Sequence, residues 1–196
     1  MSISFSLKQL PGFALLVILA ASHPSMAQSR REIDVEKSVL TVRVYKTGLF
    51  SAFAHDHEVR APIQSGSFDE QNRSVEFKVS AREMKALDPG VSESDRSQVQ
   101  STMLGPKVLD SGRFDEISFH STSVESVGPN KWRVRGELAL HGQTLPVTVA
   151  VEGSSGRYRG SARLRQTEFG IAPVSIGGGS IKVKDEMLID FEIVGK

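Results

Sequence analysis

Apolar and polar residues alternate with a period of two through most of this chain, and that rhythm restricts what it can fold into. In VEFKVS, Val75, Phe77 and Val79 share one face while Glu76 and Lys78 take the other. KWRVRGELAL sets Trp132, Val134, Leu138 and Leu140 against Lys131, Arg133, Arg135 and Glu137. RYRGSARLR repeats the pattern with Tyr158, Gly160, Ala162 and Leu164, and MLIDFEIV with Met187, Ile189, Phe191 and Ile193. Successive side chains of a strand point to opposite faces, so each run predicts an antiparallel strand with one dry and one wet face. EQNR, VGPN, HGQT and SSG supply the turns between them. With further runs around Val39 to Tyr45 and Ile117 to Val124, the total is about eight or nine strands. Such a chain closes as a barrel or packs as a sandwich, because either arrangement hides strand edges. A barrel of about eight strands can enclose one small ligand. Gly136, Gly160 and Ala162 on inward positions either leave room for one or mark bends and close strand contacts.

One segment breaks the rhythm. In VSESDRSQVQSTMLGP, Ser92 stands three residues before Asp95, a helix-capping pattern, and Val99 and Met103 lie one turn apart. Gly105 and Pro106 are a stop. The pattern predicts a short helix from about Ser94 to Leu104, over an opening or an edge of the sheet.

The N-terminus reads as an export leader. Lys8 is followed by an apolar run from Phe13 to Ala21 and then by Ser25-Met26-Ala27, the three-part pattern of a secretory signal. The run is shorter than the roughly 20 residues of a membrane span. The expectation is therefore a signal peptide at 1–27, cleaved after Ala27, and one domain at 28–196. The chain's 24 Lys and Arg include Lys8, which leaves 23 beyond the leader against 23 Asp and Glu. A balanced charge gives no reason to expect nucleic acid or an anionic membrane as partner. The basic runs KWRVR and RYRGSARLR are expected on a solvated outer face. There is no cysteine. Disulfides, thiolate catalysis and zinc–thiolate sites are excluded, and the domain depends on its hydrophobic core.

The candidate chemistry centres on SAFAHDHEVRA, which holds two of the five histidines. On a strand, His55 and His57 share a face with Phe53 and Val59, while Asp56, Glu58 and Arg60 point away. Two imidazoles on one face can reach one ion, but a zinc site needs at least a third protein ligand, and His120 and His141 lie in no ligand-spaced motif. Imidazoles paired inside or at the rim of a sheet are the plainer alternative. No Gly-x-Ser-x-Gly elbow is present, so Ser51 near His55 makes no triad. Gly177 to Gly179 follow no strand-to-helix transition and read as a loop at a barrel mouth rather than a phosphate cradle. His141 precedes Gly142 at a tight turn, where a structural role, bonding loop backbone, is expected.

Several of these segments resemble one known family. GELALHGQTLPVTVAV, RLRQTEFGI and RFDEISFHSTSV are similar to three blocks of the YceI-like bacterial periplasmic proteins. SDRSQVQSTML stands where that family has its helix, and IDVEKSVLTVRV resembles its first strand. The resemblance thus covers nearly all of the chain beyond the leader. It implies an all-β fold: an extended eight-stranded antiparallel lipocalin-like barrel with one short helix and a hydrophobic tunnel. It also implies long polyisoprenoid, quinone-like or other amphiphilic lipids as ligands, with no catalytic residues. Two departures stand out. Asp115 occupies a usual proline position, and Ala54-His55-Asp56-His57 replaces glycines and aromatics in the second strand.

The resulting expectation is an exported, soluble, non-enzymatic periplasmic carrier of an isoprenoid or quinone-like lipid. No cofactor is expected beyond the lipid, and monomer and homodimer are both left open. The ligand wall is expected at Phe53, His55, His57, Val59, Phe77, Phe119, Trp132, Leu138 and Leu140, residues equally suited to plain core packing. The alternative is a metal-binding protein or metal-dependent enzyme centred on His55 and His57.

Overall fold

The computed structural model describes residues 30–47, 56–176 and 181–196. Within them the alternation becomes a single antiparallel sheet of twelve strands. Eight are long: β2 (Val39–Thr47), β4 (Ile63–Asp69), β5 (Ser74–Ser80), β7 (Glu116–Gly128), β8 (Lys131–Leu140), β9 (Gln143–Ser154), β10 (Arg157–Arg165) and β12 (Ile181–Val194). Four are short: β1 (Arg30–Glu32), β3 (His57–Arg60), β6 (Lys85–Ala86) and β11 (Ser175–Ile176). The alternating runs of the sequence all fall on long strands, and β3 carries His57 and Glu58 of the SAFAHDHEVRA segment. β4, which has no such alternation, and the short β1, β6 and β11 raise the count above the eight or nine expected. The spatial order is β1-β4-β5-β7-β8-β9-β10-β12-β2-β3-β6, with β11 on β12.

At one end the β1–β4 edge of this curled sheet meets the C-terminal end of β12. β1 pairs with β4, and Ile33, just beyond it, bridges to Gly195 after β12. Asp34 N–H donates to Val194 O at 2.7 Å and Lys196 N–H to Glu32 O at 2.9 Å. The N-terminal ribbon thus satisfies backbone groups of β4 on one side and of the end of β12 on the other. Ile33 is 2% exposed beneath this seam.

Local chemistry sets the turns. His141 (φ 51°) and Gly142 (φ 75°) join the paired residues Leu140 and Gln143, and Ser155 (φ 56°) and Gly156 (φ 84°) join Ser154 and Arg157. Positive φ at both loop positions matches the right-handed twist of a hairpin. The helix α1 (Glu93–Leu104) begins one residue earlier than predicted, and Ser92 Oγ accepts the Asp95 N–H at 3.1 Å as its cap. It ends for a different reason from a left-handed glycine. Gly105 is extended (φ −74°, ψ 174°), the conformation favoured before a proline.

Outside, the polar faces carry cross-strand ion pairs. Arg133 and Arg135 face Glu125, Lys131 and Arg159 face Glu152, and Arg163 faces Glu186. These pairs are exposed, and each contributes about 0–1 kcal/mol. The basic runs are therefore a solvated, charge-matched surface. Inside, Gly136 and Gly160 do not open space. A Cβ on Gly136 would lie 2.4 Å from Phe119 Cζ, and one on Gly160 would lie 2.6 Å from Phe191 Cζ and 2.3 Å from Ala150 O. Each glycine is the floor on which an aromatic ring of the next strand lies.

The proline departure at Asp115 also has a local explanation. Its Oδ1 accepts the Ser80 hydroxyl at 2.6 Å and the Arg82 N–H at 3.0 Å, tying the end of β5 to the start of β7. The Ser80 bond first, and the Arg82 N–H next, hold this carboxyl below the ordinary aspartate value of 3.8. A lowered folded-state pKa stabilises the fold above the unfolded value and loses that contribution as pH falls through the folded one. Asp115→Ala is therefore expected to lower the urea midpoint at pH 7, with the difference from wild type shrinking below about pH 4. A second expectation concerns the glycine floors. Gly160→Val should destabilise by about 1–3 kcal/mol in the same assay, because the Phe191 ring must leave its site.

Candidate ligand cavity

The inward faces of the long strands enclose one cavity of about 650 Å³. That is within the usual 300–1,000 Å³ of small-molecule sites. It runs along the strands: from Trp132 to Leu140 on β8, both on its wall, the distance is about 27 Å at 3.4 Å per residue. Its middle is apolar, with Val134, Val149, Leu164 and Ile189 on the wall. Phe77 and Phe119 stack with ring centroids 5.5 Å apart. The structure brings His57, Val59, Phe77, Phe119, Trp132, Leu138 and Leu140 to this wall. Phe53 and His55 lie outside the described residues, as do Ser51 and the glycines at 177–179.

Polar groups concentrate at the two ends. At the seam end, Tyr158 donates its hydroxyl to Glu70 Oε1 at 2.6 Å, and the same oxygen accepts the Gly156 N–H at 2.9 Å. Burial first, and then this bond to a carboxylate, push the Tyr158 pKa far up, so the phenol stays protonated. Trp132 Nε1 donates to Gly153 O at 3.1 Å, leaving its ring on the cavity wall. Neither Tyr158 nor Glu70 was singled out by the sequence reading for this role; only the turn at Ser155-Gly156 was a local clue.

At the opposite end stands α1, which contributes Asp95, Gln98, Val99, Thr102 and Met103 to the wall. Only Met103 of the helix is buried. Its other anchor is Gln100, whose Nε2 donates to Met84 O and whose Oε1 accepts the Ala86 N–H, both at 2.8 Å. The amide side chain thus acts as one more strand partner for the edge at β6. Beneath the helix, His57 Nδ1 is 2.8 Å from Asp88 Oδ2, and Asp88 Oδ1 accepts the Glu58 N–H at 2.9 Å. The Asp88 side chain is fully buried and that of His57 is 29% exposed. Strand parity holds around them. Glu58 turns outward to Arg43 at 3.3 Å, and Asp56 Oδ1 accepts the Lys46 N–H at 3.0 Å.

The other two described histidines take unrelated tasks. His120 faces Glu137 on the outer surface at 3.4 Å. His141 Nδ1 donates to Phe169 O at 3.0 Å, fastening the β8–β9 turn to the neighbouring loop, and its ring meets Phe114. Among the described residues no three His, Asp or Glu side chains gather where they could hold a metal ion. Among them, too, no helix is long and apolar enough to cross a membrane.

A curled antiparallel sheet wrapped around one apolar cavity defines a lipocalin-like barrel. The sequence profile of the YceI-like domain matches residues 32–195, and the chain belongs to the YceI-like family. It is 29% identical to a UPF0312 protein of Vibrio campbellii over 73% of this chain and 72% of that one. A UPF0312 protein of Vibrio vulnificus is 31% identical over 55% of this chain and 60% of that one. Among solved structures, BcnA of Burkholderia cenocepacia superposes with a TM-score of 0.62 at 18% identity, over 84% of this chain and 99% of that one. At that identity the likeness concerns the fold.

The helix anchor yields a direct test. Gln100→Ala removes both side-chain bonds to the β6 edge, and α1 then keeps Met103 as its buried contact. Amide exchange within Glu93–Leu104 should rise about tenfold while the long strands stay protected. Unchanged exchange would show that α1 is held by other contacts.

Proposed function

We propose that this protein is an exported, non-enzymatic carrier that holds the apolar chain of an amphiphilic lipid, isoprenoid or quinone-like, inside its barrel. The observation that carries this reading is the cavity itself, about 650 Å³ with an apolar middle and polar groups at its ends. An elongated amphiphile matches that distribution: its chain replaces empty space between apolar walls, and its head meets polar partners. Burying apolar area contributes about 25 cal/mol per Å², so a chain in a dry cavity binds without a charged anchor. Membership of the YceI-like family supports the same reading. The leader pattern at 1–27 supports an exported, periplasmic protein, and the reading invokes no cofactor.

The test is mass spectrometry of an organic extract of the protein purified from its exported fraction. Co-extracted lipid near one molecule per chain is the expected result. An extract without lipid, together with no uptake of offered isoprenoids, would overturn the reading. Stoichiometric metal in the untagged protein, lost on His57→Ala, would favour the metal-binding alternative at His55 and His57.

A further inference from the structure

We propose that the His57–Asp88 pair is a head-group station which selects ligands bearing a hydroxyl, an alcohol or a phenol, over ethers and phosphates. This rests on the carrier reading and specifies which end of the ligand lies beneath α1.

The argument begins with the buried carboxylate. Asp88 can only accept hydrogen bonds when ionised, and its Oδ1 already accepts the Glu58 N–H. Its Oδ2 faces His57 Nδ1, so that nitrogen carries the ring hydrogen. In the uncharged form of this ring Nε2 presents a lone pair, which no described residue engages, and the ring lies on the cavity wall. A lone pair at the end of an apolar cavity is a partner for a donor. A ligand O–H supplies one, whereas an ether oxygen does not.

Charge argues against a phosphate. Lys46 and Lys182 line this part of the cavity, and so do Asp88 and Asp95. Two carboxylates offset two ammonium groups, which leaves no surplus positive charge for a desolvated dianion. A hydroxyl brings no charge to compensate. Burial also makes the discrimination count, because an unmatched polar group costs more inside a dry cavity than on the surface.

Trp132 is the chain's single tryptophan, and it lies on the wall far from His57 along β8, so its fluorescence reports cavity filling. At roughly 30 Å³ per water-sized unit, the cavity takes about 20 heavy atoms. Geranylgeraniol, its methyl ether and its phosphate ester are therefore suitable probes, with one tail and three heads. The expected result is that the alcohol binds about tenfold more tightly than the ether and more tightly than the phosphate. In His57→Phe the alcohol should fall to the ether's affinity, and retained ether binding shows that the variant is folded. In Asp88→Asn the side-chain amide can donate to Nδ1, moving the ring hydrogen to Nε2, and the alcohol's advantage should shrink although His57 is still present.

Equal binding of alcohol and ether by the wild type would overturn the station while leaving the carrier intact. So would an alcohol preference that survives in His57→Phe, or a phosphate that binds more tightly than the alcohol. No fluorescence response to any of the three probes would overturn both readings.

Discussion

An antiparallel sheet can hide its apolar face by curling onto itself, but the curl must be fastened where its flanks meet. Here the fastening is a short stretch of backbone. Glu32 to Asp34 exchange hydrogen bonds with Val194 to Lys196 while β1 stays paired with β4. That seam joins the β1–β4 edge to the end of β12, so the sheet has an inside at this end. The inside is then wider than the side chains lining it. Phe119 and Phe191 set their rings against Gly136 and Gly160, in space that a side chain there would need. Both rings also line the cavity.

The ends of the cavity are built differently. Tyr158 and Glu70 are bound to the hairpin at Gly156, so the seam end is tied into the sheet. The other end is closed by α1, with one buried side chain and the two bonds of Gln100. Elements with few buried contacts are the ones that open locally. An apolar ligand that reaches the cavity beside α1 displaces little structure, whereas the seam end would require breaking strand pairing. The polar pair His57 and Asp88 lies at the same end of the cavity as the helix.

Local features of this structure were legible in the sequence, and long-range ones were not. The alternation in β5, β8, β10 and β12, the turn at Gly142 and the Ser92 cap each rest on residues within a few positions of one another. The inward placement of Phe77, Phe119, Trp132, Leu138 and Leu140 follows from parity alone. Parity also separates His57 from Asp56 and Glu58, which dissolves the apparent cluster in HDHE. It cannot supply Asp88, which lies across β6 on a loop whose Asp-Pro-Gly sequence looks like an ordinary turn. Nor can it decide whether an inward glycine makes a hole or a floor; that depends on Phe119 and Phe191, one strand away in each case. Gln100 is equally silent, because an amide on a polar helix has no period to reveal that it completes an edge.

The central claim is that an apolar chain occupies the interior of this barrel. Isotope-filtered nuclear Overhauser spectroscopy, with the protein labelled on its methyl groups and an unlabelled isoprenoid added, tests it most directly. The account predicts cross-peaks from the ligand to the methyls of Val59, Val134, Leu140, Val149 and Leu164, all of them inward. Cross-peaks confined to outer residues such as Val35, Val39 and Val127 would contradict it.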